Sequence, residues 1–182
     1  MAVTDAVMPL AERLLNCLCA QLPGTVGGAA CRCCVYPGAT VPVDHCCGCE
    51  EGEGQAWVQV RRIYPTTAAR FPQPSTTLEP CDAAGGWGME LVMGVYRCVS
   101  VLDDQGNPPS CADVFDDAEK LLSDAAAMRQ ALACCFPYTG NDGLDVMAGE
   151  YTPMGPDGGC AGGQQTVYVR FTECCPDPED TP

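Results

Sequence analysis

The segment that decides the fold is 89–101, which reads MELVMGVYRCVSV. Its residues alternate between two faces, with Met89, Leu91, Met93, Val95 and Val99 on one and Glu90, Val92, Gly94, Tyr96 and Cys98 on the other. This period of two is that of a β-strand, in which successive side chains point to opposite sides of the sheet. The first set is apolar throughout. The segment is the longest strand candidate of the chain.

Three further segments have strand composition, namely 55–64, 144–151 and 165–173, with 40–44 as a candidate for an additional short strand. In the first of these, Val58 and Val60 are expected on one face and Trp57 and Ile63 on the other. The expected inward-facing residues of the last are Val167, Val169 and Phe171. The chain thus supplies enough strands for one sheet.

Two segments have the three- and four-residue spacing of amphipathic helices, 5–21 and 110–134. The stripe of the first is Val7, Leu10, Ala11, Leu14 and Leu18, and we expect Pro9 at its first regular position. Ser110 is a natural N-cap for the second helix, with Asp113 in the position of a capping box. Its stripe is Phe115, Ala118, Leu121, Leu122, Ala125, Met128 and Leu132. We expect this stripe to pack on the sheet as core.

The order of these elements predicts an α+β domain with a single, mostly antiparallel sheet covered by two helices. Long loops rich in cysteine, glycine and proline are expected at 24–54, 65–88 and 155–163. We expect one domain over 1–175 and an acidic, proline-rich tail over 176–182.

The charge of the chain limits its partners. It carries 24 acidic and nine basic residues, for a formal net charge of −15, and its largest basic cluster is Arg61 with Arg62. Nucleic-acid binding needs several cations that displace counterions, so we do not expect sequence-specific nucleic-acid binding. No apolar run reaches the roughly 20 residues that span a bilayer, and 1–5 lacks the basic region of a signal peptide. We expect no membrane partner and synthesis in a cytoplasm.

Cysteine is the unusual component, with 16 residues that include the adjacent pairs 33–34, 46–47, 134–135 and 174–175. Adjacent cysteines seldom bond to each other, because their Cα atoms are too close for relaxed disulfide geometry. We expect most cysteines to serve structure, with several cross-links that tie 24–54, the 65–88 loop and the 174–175 end to the sheet.

The alternative is a zinc site, since four thiolates can hold the ion tetrahedrally. Its candidate ligands are Cys31, Cys33, Cys34, His45, Cys46, Cys47 and Cys49. These two clusters lack C-x-x-C spacing and match no standard zinc template. Disulfides or free buried thiols are therefore favoured, and no cofactor is expected.

The sequence does not predict an enzyme. His45 is the single histidine, and its neighbouring cysteines do not make a catalytic pair without a third, orienting group. The glycine-rich segment 155–163 opens a strand and lacks the lysine of a phosphate loop. Asp142, Asp145 and Glu150 lack the alternation of a calcium-binding loop. We expect a non-enzymatic protein with no catalytic residues.

The layout resembles the tail terminator family of long-tailed bacteriophages. The residues that carry the resemblance are the helix 10–18, the strands 57–60 and 89–97, the helix from Ser110 and the strand 165–171. The Gly-Gly-Cys at 158–160 and the Cys-Cys near the end also look like neck or tail-tube proteins of actinobacterial phages. A single lysine and a single isoleucine suggest a GC-rich genome of that kind.

This resemblance implies a virion protein that is assembled in the host cytoplasm as a homo-oligomeric, hexameric ring. The ring would end the tail tube, receive the head-connector proteins and let DNA pass through its lumen. Phe71, Leu78 and Trp87, in the predicted 65–88 loop, are the expected subunit-interface residues, because buried aromatic side chains commonly anchor such contacts. The alternatives are another neck protein, for head closure or tail completion, and a stand-alone cysteine-rich metal-binding or redox protein.

Overall fold

The computed structural model describes residues 3–43, 46–48, 53–77, 85–135 and 144–171. Its elements are the helices α1 (Val3–Gln21) and α2 (Cys111–Cys135), a short 3-10 helix (Leu22–Gly24) and the strands β1 (Arg32–Tyr36), β2 (Gln55–Thr67), β3 (Gly85–Cys98), β4 (Asp145–Asp157) and β5 (Cys160–Phe171). The strands form one sheet in the order β1-β2-β3-β5-β4. β1 pairs with β2 in parallel, and every other pair is antiparallel. This confirms the predicted α+β fold class. The predicted tail 176–182 lies outside the described residues.

The core lies between one face of the sheet and the two helices. The β3 residues Met89, Leu91, Met93 and Val95, which the alternation places on one face, are fully buried there. Val167, Val169 and Phe171 of β5 also face inward, which confirms that prediction. The helices contribute Ala11, Leu14, Leu18, Met128 and Leu132.

Strand β2 departs from the expected alternation at a β-bulge. The register shifts between Val60 and Arg62, so Ile63 pairs with Met89 and shares its face. A bulge adds one residue to one strand and so reverses the side-chain parity beyond it. The expectation that Ile63 shares a face with Trp57 was therefore wrong.

The second face of the sheet is covered by loops. Gln55 Nε2 donates a hydrogen bond of 3.0 Å to the Pro42 carbonyl. The Tyr64 hydroxyl donates to the Pro72 carbonyl at 2.7 Å, and Thr66 Oγ1 donates to the Gln73 carbonyl at 2.7 Å. The first bond holds the segment between β1 and β2 against the sheet, and the other two hold the described part of the β2–β3 loop against the strand that precedes it.

The predicted loop 65–88 is shorter than expected, because the pairing of β2 with β3 continues to Thr67 and Gly85 and includes Pro65 opposite Trp87. Proline lacks the N–H of a ladder hydrogen bond and is tolerated at a sheet edge. Among the described residues β2 has no second neighbour here, since β1 pairs only with 55–59. Trp87 consequently lies in a strand and is packed against the core.

Three local expectations were wrong. Gly158 and Gly159 form a two-residue hairpin turn with φ of 57° and 84°, as a type I′ turn requires, so 155–163 is not a loop. Residues 40–43 form no strand, and 32–36 forms the short β1 instead. Pro9 lies inside α1, on its exposed side. Proline has no N–H to donate to the carbonyl of the preceding turn, and on this side water can bond to that carbonyl instead.

Candidate interaction surface

Helix α2 begins with the predicted capping box. The Asp113 N–H donates to Ser110 Oγ at 3.2 Å, and the Ser110 N–H donates back to Asp113 Oδ2 at 3.1 Å. This reciprocal pair satisfies two backbone donors that the first turn of a helix leaves without partners. The N-terminal end of α2 is therefore well defined although little of it touches the sheet.

Only the C-terminal half of α2 is buried. Its buried residues, Asp124, Ala127, Met128, Ala131 and Leu132, all fall within 124–132. A helix of 25 residues is about 37 Å long, so its first half extends beyond the part that packs. Val114, Phe115 and Leu122 are 52%, 68% and 69% exposed. The expectation that the whole apolar stripe packs as core was wrong for Phe115, Ala118 and Leu122.

A buried ion pair fixes α2 at the point where its packed half begins. Arg97 of β3 donates to both carboxylate oxygens of Asp124, from Nε at 2.7 Å and from Nη2 at 2.9 Å. The two side chains are only 1% and 2% exposed. Thr25 Oγ1 donates a further hydrogen bond of 3.0 Å to Asp124.

The rest of the Arg97 guanidinium is bonded to backbone carbonyls. Nη1 donates to Gly27 at 2.9 Å and also to Glu53, while Nη2 donates to Gly28 at 2.8 Å. A buried charge is costly unless it is paired and fully hydrogen-bonded, and this arginine meets both conditions. It joins the sheet, α2 and the turn after α1 in one rigid unit from which the first half of α2 projects.

One side of this projecting half forms an apolar groove of about 590 Å³ with the 99–110 segment and the β4–β5 turn. Its main apolar lining residues are Val99, Val101, Leu102, Pro109, Val114 and Leu121. Asp117 holds the groove together, because the Ser100 N–H donates to its Oδ2 at 2.7 Å. Lys120 Nζ lies 3.4 Å from its Oδ1.

The pKa of Asp117 reflects these contacts. Partial burial acts to raise the pKa, but the hydrogen bonds from Ser100 and the charge of Lys120 outweigh it and lower the pKa below its ordinary value of 3.8. Asp117 is therefore ionised at neutral pH and keeps the 99–110 segment bound to the helix.

The other side of the projecting half is apolar as well. Phe115, Leu122 and Val26 border a depression of about 420 Å³. The Val26 N–H donates to Ser123 Oγ at 3.2 Å, which holds the turn after α1 beside the helix. We define the α2 apolar surface by its exposed residues Val26, Val101, Leu102, Val114, Phe115 and Leu122. Clusters of exposed large apolar side chains mark sites of protein–protein contact.

The predicted interface residues lie elsewhere. Phe71 is half-buried in the β2–β3 loop, Trp87 is half-buried in β3, and Leu78 lies outside the described residues. The sequence pattern does not predict the α2 apolar surface, because it places Phe115 and Leu122 in the core and singles out none of the other four residues. The length of α2 was the available signal, since a helix much longer than the sheet is wide cannot pack along its whole length.

The predicted metal ligands are mostly engaged in disulfides. Cys33 bonds to Cys19, Cys46 to Cys160 and Cys47 to Cys98. Cys31 is also disulfide-bonded, and Cys34 is a free, half-buried thiol. Bonded sulfurs are not thiolate ligands, so in this state the two clusters do not form a joint zinc site. His45 and Cys49 lie outside the described residues.

The disulfides connect the parts of the fold. Two of them tie the 46–48 segment to β3 and β5, as expected for the 24–54 region, and adjacent cysteines take different partners. Cys17–Cys135 joins the C-terminal ends of α1 and α2, a pairing that the sequence does not indicate. Cys81, Cys174 and Cys175, expected to tie the 65–88 loop and the chain end to the sheet, lie outside the described residues.

No family model of known proteins matches the chain, and no curated protein matches its sequence. In the part of the chain that the structure describes, no helix is long and apolar enough to cross a membrane. The class that fold and composition define is a cysteine-rich α+β domain with several disulfides.

Proposed function

We propose that this protein is a structural component of a bacteriophage neck, which forms a ring that ends the tail tube and joins it to the head connector. The observation that carries the proposal is the α2 apolar surface, on a helix half that projects from its own domain. The resemblance of the layout to tail terminator proteins supplies the ring and its place in the particle.

The energetics favour an assembly that needs more than one contact. Val114, Phe115 and Leu122 are already partly buried, so covering the rest of each side chain would contribute about 1–2 kcal/mol. Association costs an estimated 4–15 kcal/mol or more in lost freedom of motion, so one such contact is marginal. In a closed ring every subunit makes two contacts, and a tail tube adds a third surface. Assembly on the tube is therefore favoured over free dimers.

The charges around the surface favour a head-to-tail contact. The projecting half of α2 carries Asp113, Asp116, Asp117 and Glu119 against the single Lys120. Two copies of this surface would repel each other in a face-to-face dimer. A contact between different surfaces of two subunits avoids the repulsion, and such contacts generate rings when they close.

The complementary surface on the next subunit lies along β2 and the start of the β2–β3 loop. Arg61 and Arg62 both contact Glu90, at 3.4 and 2.5 Å, and their side chains remain 41% and 49% exposed. Two arginines on one glutamate leave a net positive charge. Phe71, half-buried nearby in sequence, adds an apolar contact. We place the α2 apolar surface of one subunit against 61–71 of its neighbour.

The test is a comparison of assembly by matched variants. We expect Phe115→Glu with Leu122→Glu to abolish rings, seen by electron microscopy and light scattering, with or without tail tubes from the same phage. Met147→Glu, at a 42% exposed methionine of β4, is the control and should assemble normally. Rings formed by the double variant as readily as by the wild type would contradict the proposal. Binding to a head-closure complex instead of the tube would assign the protein to that neighbouring position.

A further inference from the structure

Four cysteines meet at one end of the sheet, on the face away from the helices. Cys98 of β3 and Cys160 of β5 are directly paired neighbours, so their side chains lie side by side. Cys46 and Cys47 approach them from the 46–48 segment and form disulfides with Cys160 and Cys98 respectively. We define these four residues as the four-cysteine cluster.

The two disulfides of the cluster are in contact with each other. Cys46 Sγ lies 3.5 Å from Cys47 Sγ, and the sulfurs of Cys46, Cys47 and Cys160 all lie within 4.8 Å of one another. Within the described ranges this is the single group of three or more potential metal ligands at such distances. Among the same residues, the disulfides Cys17–Cys135 and Cys19–Cys33 belong to no such group of close potential ligands.

These distances are those of a zinc site. Zinc bound by four thiolates at about 2.3 Å places the sulfurs roughly 3.8 Å apart. Reduction of the two disulfides frees each bonded pair to move to that spacing by side-chain rotation. Cys98 Sγ is bonded to Cys47 but lies outside the group of three close sulfurs, so the Cys98 side chain must turn toward them to complete the site.

The surroundings of the cluster suit both reduction and metal entry. Cys46 and Cys160 are buried, at 4% and 6% exposed, whereas Cys47 is exposed. A reductant and a metal ion can therefore reach the cluster at Cys47, and the buried side shields the bound ion from water.

We propose that the reduced chain binds one zinc ion through Cys46, Cys47, Cys98 and Cys160, and that exchange with two disulfide molecules of the thioredoxin class, which take up four electrons and four protons and become dithiols, releases the ion as the two protein disulfides form. In the reducing direction, two dithiol molecules of the thioredoxin class supply four electrons, break both S–S bonds and become disulfides themselves. Binding of zinc then releases four protons from the four thiols. The cluster would hold the 46–48 segment on the sheet in a reducing cytoplasm and in an oxidising exterior alike. This inference is independent of the proposed assembly.

The test uses the full chain, fully reduced under anaerobic conditions and titrated with Co²⁺ as the probe for zinc. We expect saturation at one cobalt per chain with the absorption of tetrahedral tetrathiolate coordination, and displacement by zinc. In the presence of zinc, alkylation of the four cluster cysteines should slow by at least about tenfold, mapped by peptide mass spectrometry, because a bound thiolate must dissociate before it reacts.

Two variants make the test specific. Cys46→Ser with Cys160→Ser should lose the tetrathiolate spectrum. Cys17→Ser with Cys135→Ser also removes one disulfide, but outside the cluster, and should retain the tetrathiolate spectrum. The proposal is overturned if the reduced wild type binds no stoichiometric metal, whether or not it stays folded. It is equally overturned if the cluster variant binds like the wild type, or if zinc protects a different set of cysteines.

Discussion

Arg97 and Asp124 form a bidentate ion pair in which both side chains are almost completely buried, with N–O distances of 2.7 and 2.9 Å. The pair joins the central strand to the middle of α2. Residues 111–123 precede this attachment point in the chain, and residues 124–132, which follow it, contain all the buried residues of α2. The same pair therefore stabilises the domain and sets the position of the surface that we assign to assembly.

We expect Asp124→Asn to destabilise the protein by about 3–5 kcal/mol, because it leaves a buried arginine without its counter-charge. The matched control is Asp145→Asn, which breaks the ion pair between Arg170 and an aspartate whose side chain is 54% exposed. Exposed pairs contribute about 0–1 kcal/mol. Urea unfolding with the disulfides intact measures both. A loss below 1 kcal/mol for Asp124→Asn would show that the pair does not anchor the helix.

Asp117 should give the 99–110 segment a dependence on pH. Because folding lowers the pKa of Asp117 below 3.8, its contribution to stability is complete above the unfolded pKa of about 3.9 and is lost as pH falls through the folded value. We expect Asp117→Asn to speed exchange of the Ser100 amide hydrogen at pH 6. The difference from the wild type should shrink as pH falls through the lowered pKa. A difference that is absent at pH 6, or unchanged by acid, would refute this role.

The disulfides should differ in their contribution to the free energy of unfolding, according to the length of the loop that each closes. Cys17–Cys135 closes 118 residues and Cys19–Cys33 closes 14. Chain-entropy arguments assign about 5 and 3 kcal/mol to loops of these lengths, and the other cross-links shorten the longer loop. Replacing Cys17 and Cys135 by serine should therefore cost about 1–2 kcal/mol more than replacing Cys19 and Cys33. Equal losses in chemical unfolding would mean that strain or residual structure decides instead.

We expect no tight binding to duplex DNA. The net charge of −15 and the engagement of Arg61 and Arg62 with Glu90 leave few cations to displace counterions. A ring that passes DNA through its lumen benefits from this, since the DNA slides without sticking. Fluorescence anisotropy at low salt tests the expectation. Sub-micromolar affinity that falls steeply with added salt would argue against a conduit.

The sequence predicted the fold class and the strongest elements, because period and capping are local signals. The alternation of 89–101 and the Ser110 cap needed no knowledge of the rest of the chain. The same alternation places Arg97 on the face of Met93 and Val95, which was an overlooked signal of a buried ion pair. The Gly158-Gly159 pair between two strand-like runs was likewise an available hairpin signal.

Other features depend on distant partners and could not be read locally. A helical stripe shows which residues share a face, but not whether anything covers them, so Phe115 was assigned to the core. The bulge after Val60 moves Ile63 to the opposite face of the sheet, and no sequence feature indicates the bulge. Cysteine pairing is not determined by spacing. The convergence of Cys46, Cys47, Cys98 and Cys160 becomes visible only once β3 and β5 are paired.

The central claim, that the chain works by assembling with copies of itself, is tested most directly by its mass in solution and on the tail tube. We predict a closed species of six times the 19.1 kDa chain mass, either alone or after addition of tail tubes from the same phage, measured by native mass spectrometry and by electron microscopy of the tube ends. A chain that stays at 19.1 kDa when free and leaves the tube ends bare would contradict the account.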